Sequence, residues 1–433
     1  MKTHDLLAIG LMTFALFLGA GNLIFPPSLG LEAGTNLFPA MVGFLVTAVG
    51  LPALTLIVLG RISSTQNLTK PLPSWLARSF WIALFTAIGP AFGMPRAVTV
   101  AYEMGIKPFV TTDHLLLFSV LFSAFTLMLA FKPGRLVDCI GKVMTPLLIL
   151  MLLALTLAAI ISPLDTPLAP TADYQHGAVT QGLIQGYMTM DAIAAVGFGW
   201  VIIQTINAKG VTAPKAVANT AFKVAMIYAV LMAGCYMAMG YVGATSASVA
   251  TNATNGGEIL ARYVAGEFGV YGQWLLAAII IMACLTTTVG LTNACAEYYK
   301  QTFNASFSVT ATIVVLLTGI IANFGLEQIL AVSLPAILVL CPVAIALVLA
   351  ALAFPAKPDV SFTYIAVLMT AMVFGGLDAL TILGKMPESL DMKLTQLLPL
   401  YSAHASWFLP CLTVLFFSRM LAVSRKPLIQ LSN

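Results

Sequence analysis

The sequence predicts an all-α polytopic membrane protein, a bundle of 12 transmembrane helices, on three observations. Of its 433 residues 60% are apolar and only 8% charged, against roughly 25% charged in an ordinary soluble domain. Apolar runs close to the ~20 residues that cross a bilayer recur along the whole length. Two of these runs are interrupted by glycines and polar residues. Backbone freed from a helix inside hydrocarbon is tolerated only where protein buries it or where it lines a cavity, so each interruption marks a place where a site belongs.

The spans follow in order. Span 1, residues 6–29, contains GAGNLIFPP at 19–27. It starts behind Lys2 alone, but it is too long for a signal peptide, carries a proline pair and lacks a small-x-small cleavage site, so it reads as a mature helix. Spans 2 to 5 are residues 37–60, 80–102, 114–131 and 143–161. Span 6, residues 180–206, includes QGYMTMDAIAAVGFGWVIIQ, with Asp191 ahead of Gly197 and Gly199. After span 7, 221–243, the largest extramembrane segment, about 244–271, begins with the polar stretch ATSASVATNATNGGE and reads as an outer loop with a short helix. Span 8, 272–296, carries ACLTTTVGLTN, and spans 9 to 12 are 307–323, 329–354, 361–383 and 397–420. Cys139, Cys235, Cys284, Cys295, Cys341 and Cys411 lie singly, with no C-x-x-C pair, which points to neither a disulfide framework nor a metal cluster.

Lysine and arginine set the orientation. With a cytoplasmic N-terminus the inner segments hold Lys2, Arg61, Lys70, Arg78, Lys132, Arg135, Lys142, Lys209, Lys215, Lys223, Lys300, Lys357, Arg419, Arg425 and Lys426. The outer segments hold only Lys107, Arg262, Lys385 and Lys393, and Arg96 falls inside a span. This asymmetry predicts both termini in the cytoplasm and an even number of spans. The +4 net charge then reflects topology and calls for no nucleic-acid partner.

No extramembrane segment is long enough to be a domain, so residues 1–433 read as one transmembrane unit. Spans 1 and 6 are interrupted at corresponding places, and five is odd, so the second five enter from the opposite side. The pattern predicts a 5+5 inverted repeat, 1–165 and 175–355, with two additional helices and a tail in 360–433. Interrupted helices in matching positions of two inverted halves point to a secondary transporter with its site at the midplane.

Three constellations carry the chemistry. At Gly19, Ala20, Gly21 and Asn22 a half-helix starting inside the membrane presents unpaired N–H groups and the positive end of its dipole, for which an amino-acid carboxylate is a natural guest. In span 6, unwinding from Asp191 to Gly199 would free carbonyls for a substrate ammonium, with Ala192, Ala194, Ala195 and Phe198 beside an apolar side chain. An intramembrane carboxylate is costly and by default functional: Asp191 could hold a cation, pair with Arg96, or cap a half-helix. In span 8, Thr286, Thr287, Thr288 and Thr292 offer hydroxyls to a hard cation or merely bond back to the preceding turn. Arg96 and Glu103, seven residues apart on one helical face, read as outer-gate candidates, or Arg96 as an interfacial arginine snorkelling outward.

LMTFALFLGAGNLIFPP, GPAFGMPRAVTVAYE and GYMTMDAIAA are similar to segments of the branched-chain amino acid:cation symporter (LIVCS) family, and the likeness runs from end to end. At greater distance the chain resembles the LeuT-fold sodium symporters of the amino acid-polyamine-organocation superfamily, through Gly19, Gly21, Asn22, Phe25 and Pro26, through Gly197-Phe198-Gly199, and through Ala283, Leu285, Thr286 and Thr287. The resemblance implies a LeuT-like fold with helices 1 and 6 broken, and a bacterial inner-membrane symporter coupling sodium to leucine, isoleucine and valine. It further implies that the carbonyls of Ala15, Leu18 and Ala283 and the hydroxyls of Thr286 and Thr287 surround one sodium ion. The alternatives are a proton-coupled permease with Asp191 as carrier and, remotely, an intramembrane aspartyl protease using Asp191 and Asp378. No zinc motif, P-loop or nucleophile elbow is present, so no enzyme and no cofactor are expected.

Overall fold

The computed structural model describes residues 2–62, 65–131, 145–250, 253, 255–354, 360–398, 400–402 and 404–424. Cys139 and the loop cations Lys132, Arg135, Lys142, Lys357, Arg425 and Lys426 lie outside the described residues. Among the described residues the chain is helical throughout, with no strand. Seven helical stretches are long and apolar enough to cross a membrane, and Thr3–Phe17, Leu115–Ala130, Thr145–Ile161, Phe307–Ala322 and Phe408–Leu421 are shorter apolar helices.

Span 1 is two helices, α1 (Thr3–Phe17) and α2 (Ala20–Ala33). Next come α3 (Leu37–Leu45) and α4 (Leu51–Ile62), joined by a wide turn at Val46–Gly50, then α5 (Ser74–Thr86) and α6 (Gly93–Gly105), joined by another at Ala87–Ala91. The second turn contains Pro90, which lacks the N–H a regular helix needs, and Gly89 leaves helical geometry there. Helices α7 (Leu115–Ala130) and α8 (Thr145–Ile161) follow. Span 6 is α9 (Ala172–Met188) and α10 (Asp191–Ala208), and span 7 is α11 (Pro214–Ala244).

The expected outer helix and span 8 are continuous in α12 (Gly256–Phe303), bent at Gly269, where φ is +57°. Its start is capped by the Asn255 side chain, which accepts from the Glu258 N–H. Helices α13 (Phe307–Ala322), α14 (Leu326–Ala353) and α15 (Ser361–Ile382) complete the bundle. The expected start of span 12 is displaced. Residues 388–397 form a separate helix with no buried residue, α16 (Glu388–Leu397), because Glu388, Asp391 and Lys393 keep it out of an apolar interior, and α17 (Phe408–Ser424) begins eleven residues later.

The core is aliphatic and aromatic, and two glycine seams bring backbones together. A Cβ on Gly43 of α3 would lie 2.0 Å from the Val179 carbonyl oxygen of α9, and one on Gly182 of α9 would lie 1.9 Å from that of Ala40. Between α2 and α11 the same reciprocity joins Gly30 to the Gly240 carbonyl and Gly243 to the Pro27 carbonyl. Small residues permit this approach where lipid offers no hydrophobic drive between helices. The seams fix α2 and α9, which flank the two interruptions.

Candidate functional site

Both interruptions meet around one cavity. Leu18 (ψ +81°) and Gly19 (φ −112°, ψ −164°) leave the helix between α1 and α2. The side chain of Asn22 folds back so that its Oδ1 accepts from the Gly19 N–H at 3.2 Å, which satisfies one of the donors a helix start leaves open.

In span 6 the expected position of the interruption is corrected. Asp191 to Gly199 is helical, and the helix breaks before it, at Met190, whose φ is +69°. A non-glycine residue in this region is strained by about 1–2 kcal/mol, and such strain clusters where a site needs it. Gly197 and Gly199 serve packing instead: Cβ atoms there would come within 2.4 Å of Ile88 and 2.3 Å of Leu59.

Asp191 therefore opens α10, where the helix dipole favours a carboxylate. Its Oδ2 accepts from Asn22 Nδ2 and from the Tyr236 hydroxyl, both at 2.6 Å, and Asn22 also bonds the Tyr236 hydroxyl. All three side chains are buried. One oxygen thus ties α2, α10 and α11 together. Sequence reasoning missed Tyr236, since one tyrosine in the apolar run CYMAMG carries no pattern, and likewise missed the cavity residues Leu16, Phe17, Ile88, Thr189 and Leu291.

Arg96, on α6, is 7% exposed, so it does not snorkel to an interface. Its Nη2 donates to the Thr189 carbonyl at 3.2 Å. Among the described residues no ion pair joins it to Asp191 or Glu103. Glu103 lies apart, lining a second pocket with Lys107, Asn255 and Glu258.

The threonines of α12 face the open end of α1. Thr286 Oγ1 donates to the carbonyls of Ala15 (3.0 Å) and Ala283 (2.9 Å), while Thr287 Oγ1 reaches those of Leu16 (3.0 Å) and Leu18 (3.4 Å). The last carbonyls of a helix have no partner within it; here two adjacent hydroxyls meet those of Ala15, Leu16 and Leu18, and that of Ala283 from α12 itself joins the Thr286 group. Thr292 bonds only to Thr288 O, a turn back.

The cavity is lined on its polar side by Gly19, Asn22, Arg96, Thr189, Asp191 and Thr287, and on its apolar side by Leu16, Phe17, Ile88, Ala194, Phe198 and Leu291. Phe17 and Phe198 meet edge to face at 5.1 Å. Ala20 begins α2, Gly21 sits against Arg96, and Ala192 and Ala195 are buried in packing without lining the cavity. A polar side carrying one carboxylate and one guanidinium, facing an aromatic and aliphatic wall, matches a small zwitterion with an apolar tail.

Residues 2–425 match the family model described as "Branched-chain amino acid transport protein". The branched-chain amino acid permease BrnQ of Haemophilus influenzae is 38% identical over 421 residues, covering 96% of both chains. The branched-chain amino acid transport system 2 carrier protein of Pseudomonas aeruginosa is 40% identical over 416 residues, covering 95% of this chain and 94% of its own. Among solved structures, Mhp1, a nucleobase-cation-symport-1 family transporter in a closed conformation with bromovinylhydantoin bound, superposes with a TM-score of 0.61 at 11% identity, over 97% of this chain and 92% of that one. That likeness extends to the architecture alone.

Proposed function

The chain belongs to the family of branched-chain amino acid transport proteins, and from that premise we propose that it is a sodium-coupled symporter importing leucine, isoleucine and valine by alternating access. It is a multi-pass membrane transporter and not an enzyme. In this reading α1–α2 and α9–α10 are the broken first and sixth helices of a 5+5 inverted repeat in a 12-span, LeuT-like bundle. The bundle sits in the bacterial inner membrane with both termini cytoplasmic.

The observation that carries the coupling is the convergence of the Thr286 and Thr287 hydroxyls with the carbonyls of Ala15, Leu16, Leu18 and Ala283. Neutral oxygens in that number suit a monovalent cation that must be released again, because they replace its hydration without fixing it by countercharge. The substrate ammonium faces Asp191, the aliphatic side chain faces Phe17 and Phe198, and the start of α2 lies nearest the carboxylate. Sodium binding at the end of α1 would order Leu18–Gly19, the backbone that also shapes the substrate cavity, so that each ligand favours the conformation the other needs.

A second reading, proton coupling, is favoured by the burial of Asp191, since an intramembrane carboxylate is costly, and is opposed by the Asn22 and Tyr236 donors that favour its charged form. Labelled leucine uptake into proteoliposomes separates the two. An imposed sodium gradient at equal pH should drive accumulation and a pH gradient without sodium should not; the reverse outcome would replace sodium by the proton.

A further inference from the structure

The match of the cavity to a zwitterion leaves open what its guanidinium, Arg96, contacts. The residue is 7% exposed, and its guanidinium lies over the start of α2: a Cβ placed on Gly21 would come 2.7 Å from Nη2 and 3.4 Å from Cζ. Of the five N–H donors an arginine carries, Nη2 supplies the one described hydrogen bond, to the Thr189 carbonyl, and the buried Nε–H meets no acceptor among the described residues. Among the described residues no carboxylate is in ion-pair contact with it: Asp191, across the same cavity, acts on it through space and takes its own hydrogen bonds from Asn22 and Tyr236. A buried guanidinium without a counter-carboxylate is costly unless an anion completes it, and its planar fork matches a carboxylate in two parallel bonds.

We propose that Arg96 binds the α-carboxylate of the substrate, its free Nε–H edge joining the first N–H groups of α2, while Asp191 faces the ammonium. The cavity thereby keeps its two opposite charges apart for a zwitterion to bridge. This rests on the branched-chain amino acid reading and adds to it a side chain that distinguishes an amino acid from an amine. Gly21 has a matching role, since its missing side chain lets the guanidinium lie on the backbone of α2.

The test compares leucine with leucinamide, which keeps the ammonium, the side chain and nearly the same shape but lacks the negative charge. Binding of each to the purified full-length protein is measured by calorimetry at saturating sodium. The wild type should prefer leucine by more than about tenfold, the loss expected for charge-assisted hydrogen bonds at a desolvated site. In Arg96→Gln that preference should fall to within about threefold, and in Arg96→Lys, which keeps the charge without the fork, to an intermediate value. An Arg96→Gln protein that retains the wild-type preference overturns the assignment whatever its absolute affinity, because a purely structural arginine would weaken both ligands alike. Should Arg96→Gln not fold, Arg96→Lys decides by the same criterion. A wild type that binds leucine and leucinamide equally also overturns it, whereas a wild type that binds no leucine overturns the transport reading beneath it.

Discussion

At the scale of single residues the site turns on oxygen atoms and on one hydrogen. Thr286→Ala and Thr287→Ala each remove one oxygen from the group around the end of α1, and each should raise the sodium concentration for half-maximal leucine uptake by about tenfold, the order of one lost polar contact at a buried site. Thr292→Ala serves as control, since its hydroxyl serves only its own helix; a shift there with none at Thr286 or Thr287 would remove the ion site. Asp191→Asn keeps size and loses charge, and should bind leucine poorly and accumulate none, whereas Tyr236→Phe, which deletes one donor to the same oxygen, should weaken binding by less. If Arg96→Gln restored accumulation to Asp191→Asn, the two residues would be a structural pair and Asp191 would have no part in coupling. GAGN and the threonine run were legible because each concentrates residues that a membrane helix otherwise avoids. Tyr236 was not, because its partner is 45 residues away in sequence, a relation that no local pattern encodes.

At the scale of elements, helix existence was readable from apolar length, and interruption from glycine, but the position of the second interruption was not. Glycine serves both loose backbone and close packing. In span 1, Gly19 takes the first role. In span 6, Gly197 and Gly199 take the second, and the break falls on Met190, held left-handed by the surrounding structure. The likewise displaced start of α17 follows from the turn ahead of it, where Leu400 and His404 take positive φ, a conformation that the averaged hydropathy of the region conceals. The seams give a prediction at this scale. Gly243→Ala would set a methyl 2.1 Å from the Pro27 carbonyl oxygen, and should destabilise the protein by about 1–3 kcal/mol, the usual result of overpacking, seen as a lower midpoint of thermal unfolding in detergent. Gly234→Ala on the same helix, where a Cβ would meet nothing within 4 Å, should leave the midpoint unchanged or raise it slightly. Equal effects at both positions would mean that α2 and α11 do not rely on backbone contact.

For the molecule as a whole, the two ends of the bundle are marked by charge. At one end Lys209, just past α10, pairs with Asp5 of α1 at 3.0 Å; both fall in segments that the lysine and arginine pattern assigns to the cytoplasm. Glu103, Lys107 and Glu258, in segments that the same pattern assigns to the outer side, line the second pocket. The ion pair fastens the first half of span 1 to the end of the second half of span 6. Lys209→Gln should favour the conformation open there, and because the pair is partly exposed the effect should stay within about 1 kcal/mol, a change of fivefold or less in leucine affinity that high salt erases in the wild type; an unchanged affinity would show that this contact carries no gate. The glycine seams have a further consequence, for inheritance. Every single-base change in a glycine codon that still encodes an amino acid other than glycine installs at least a Cβ, and at positions 43 and 182 that atom falls on a facing carbonyl. Relief would require the partner backbone to withdraw, which no second point change supplies. Selection should therefore hold these glycines in place, while exposed leucines and phenylalanines such as Leu116 and Phe362 can change at little cost.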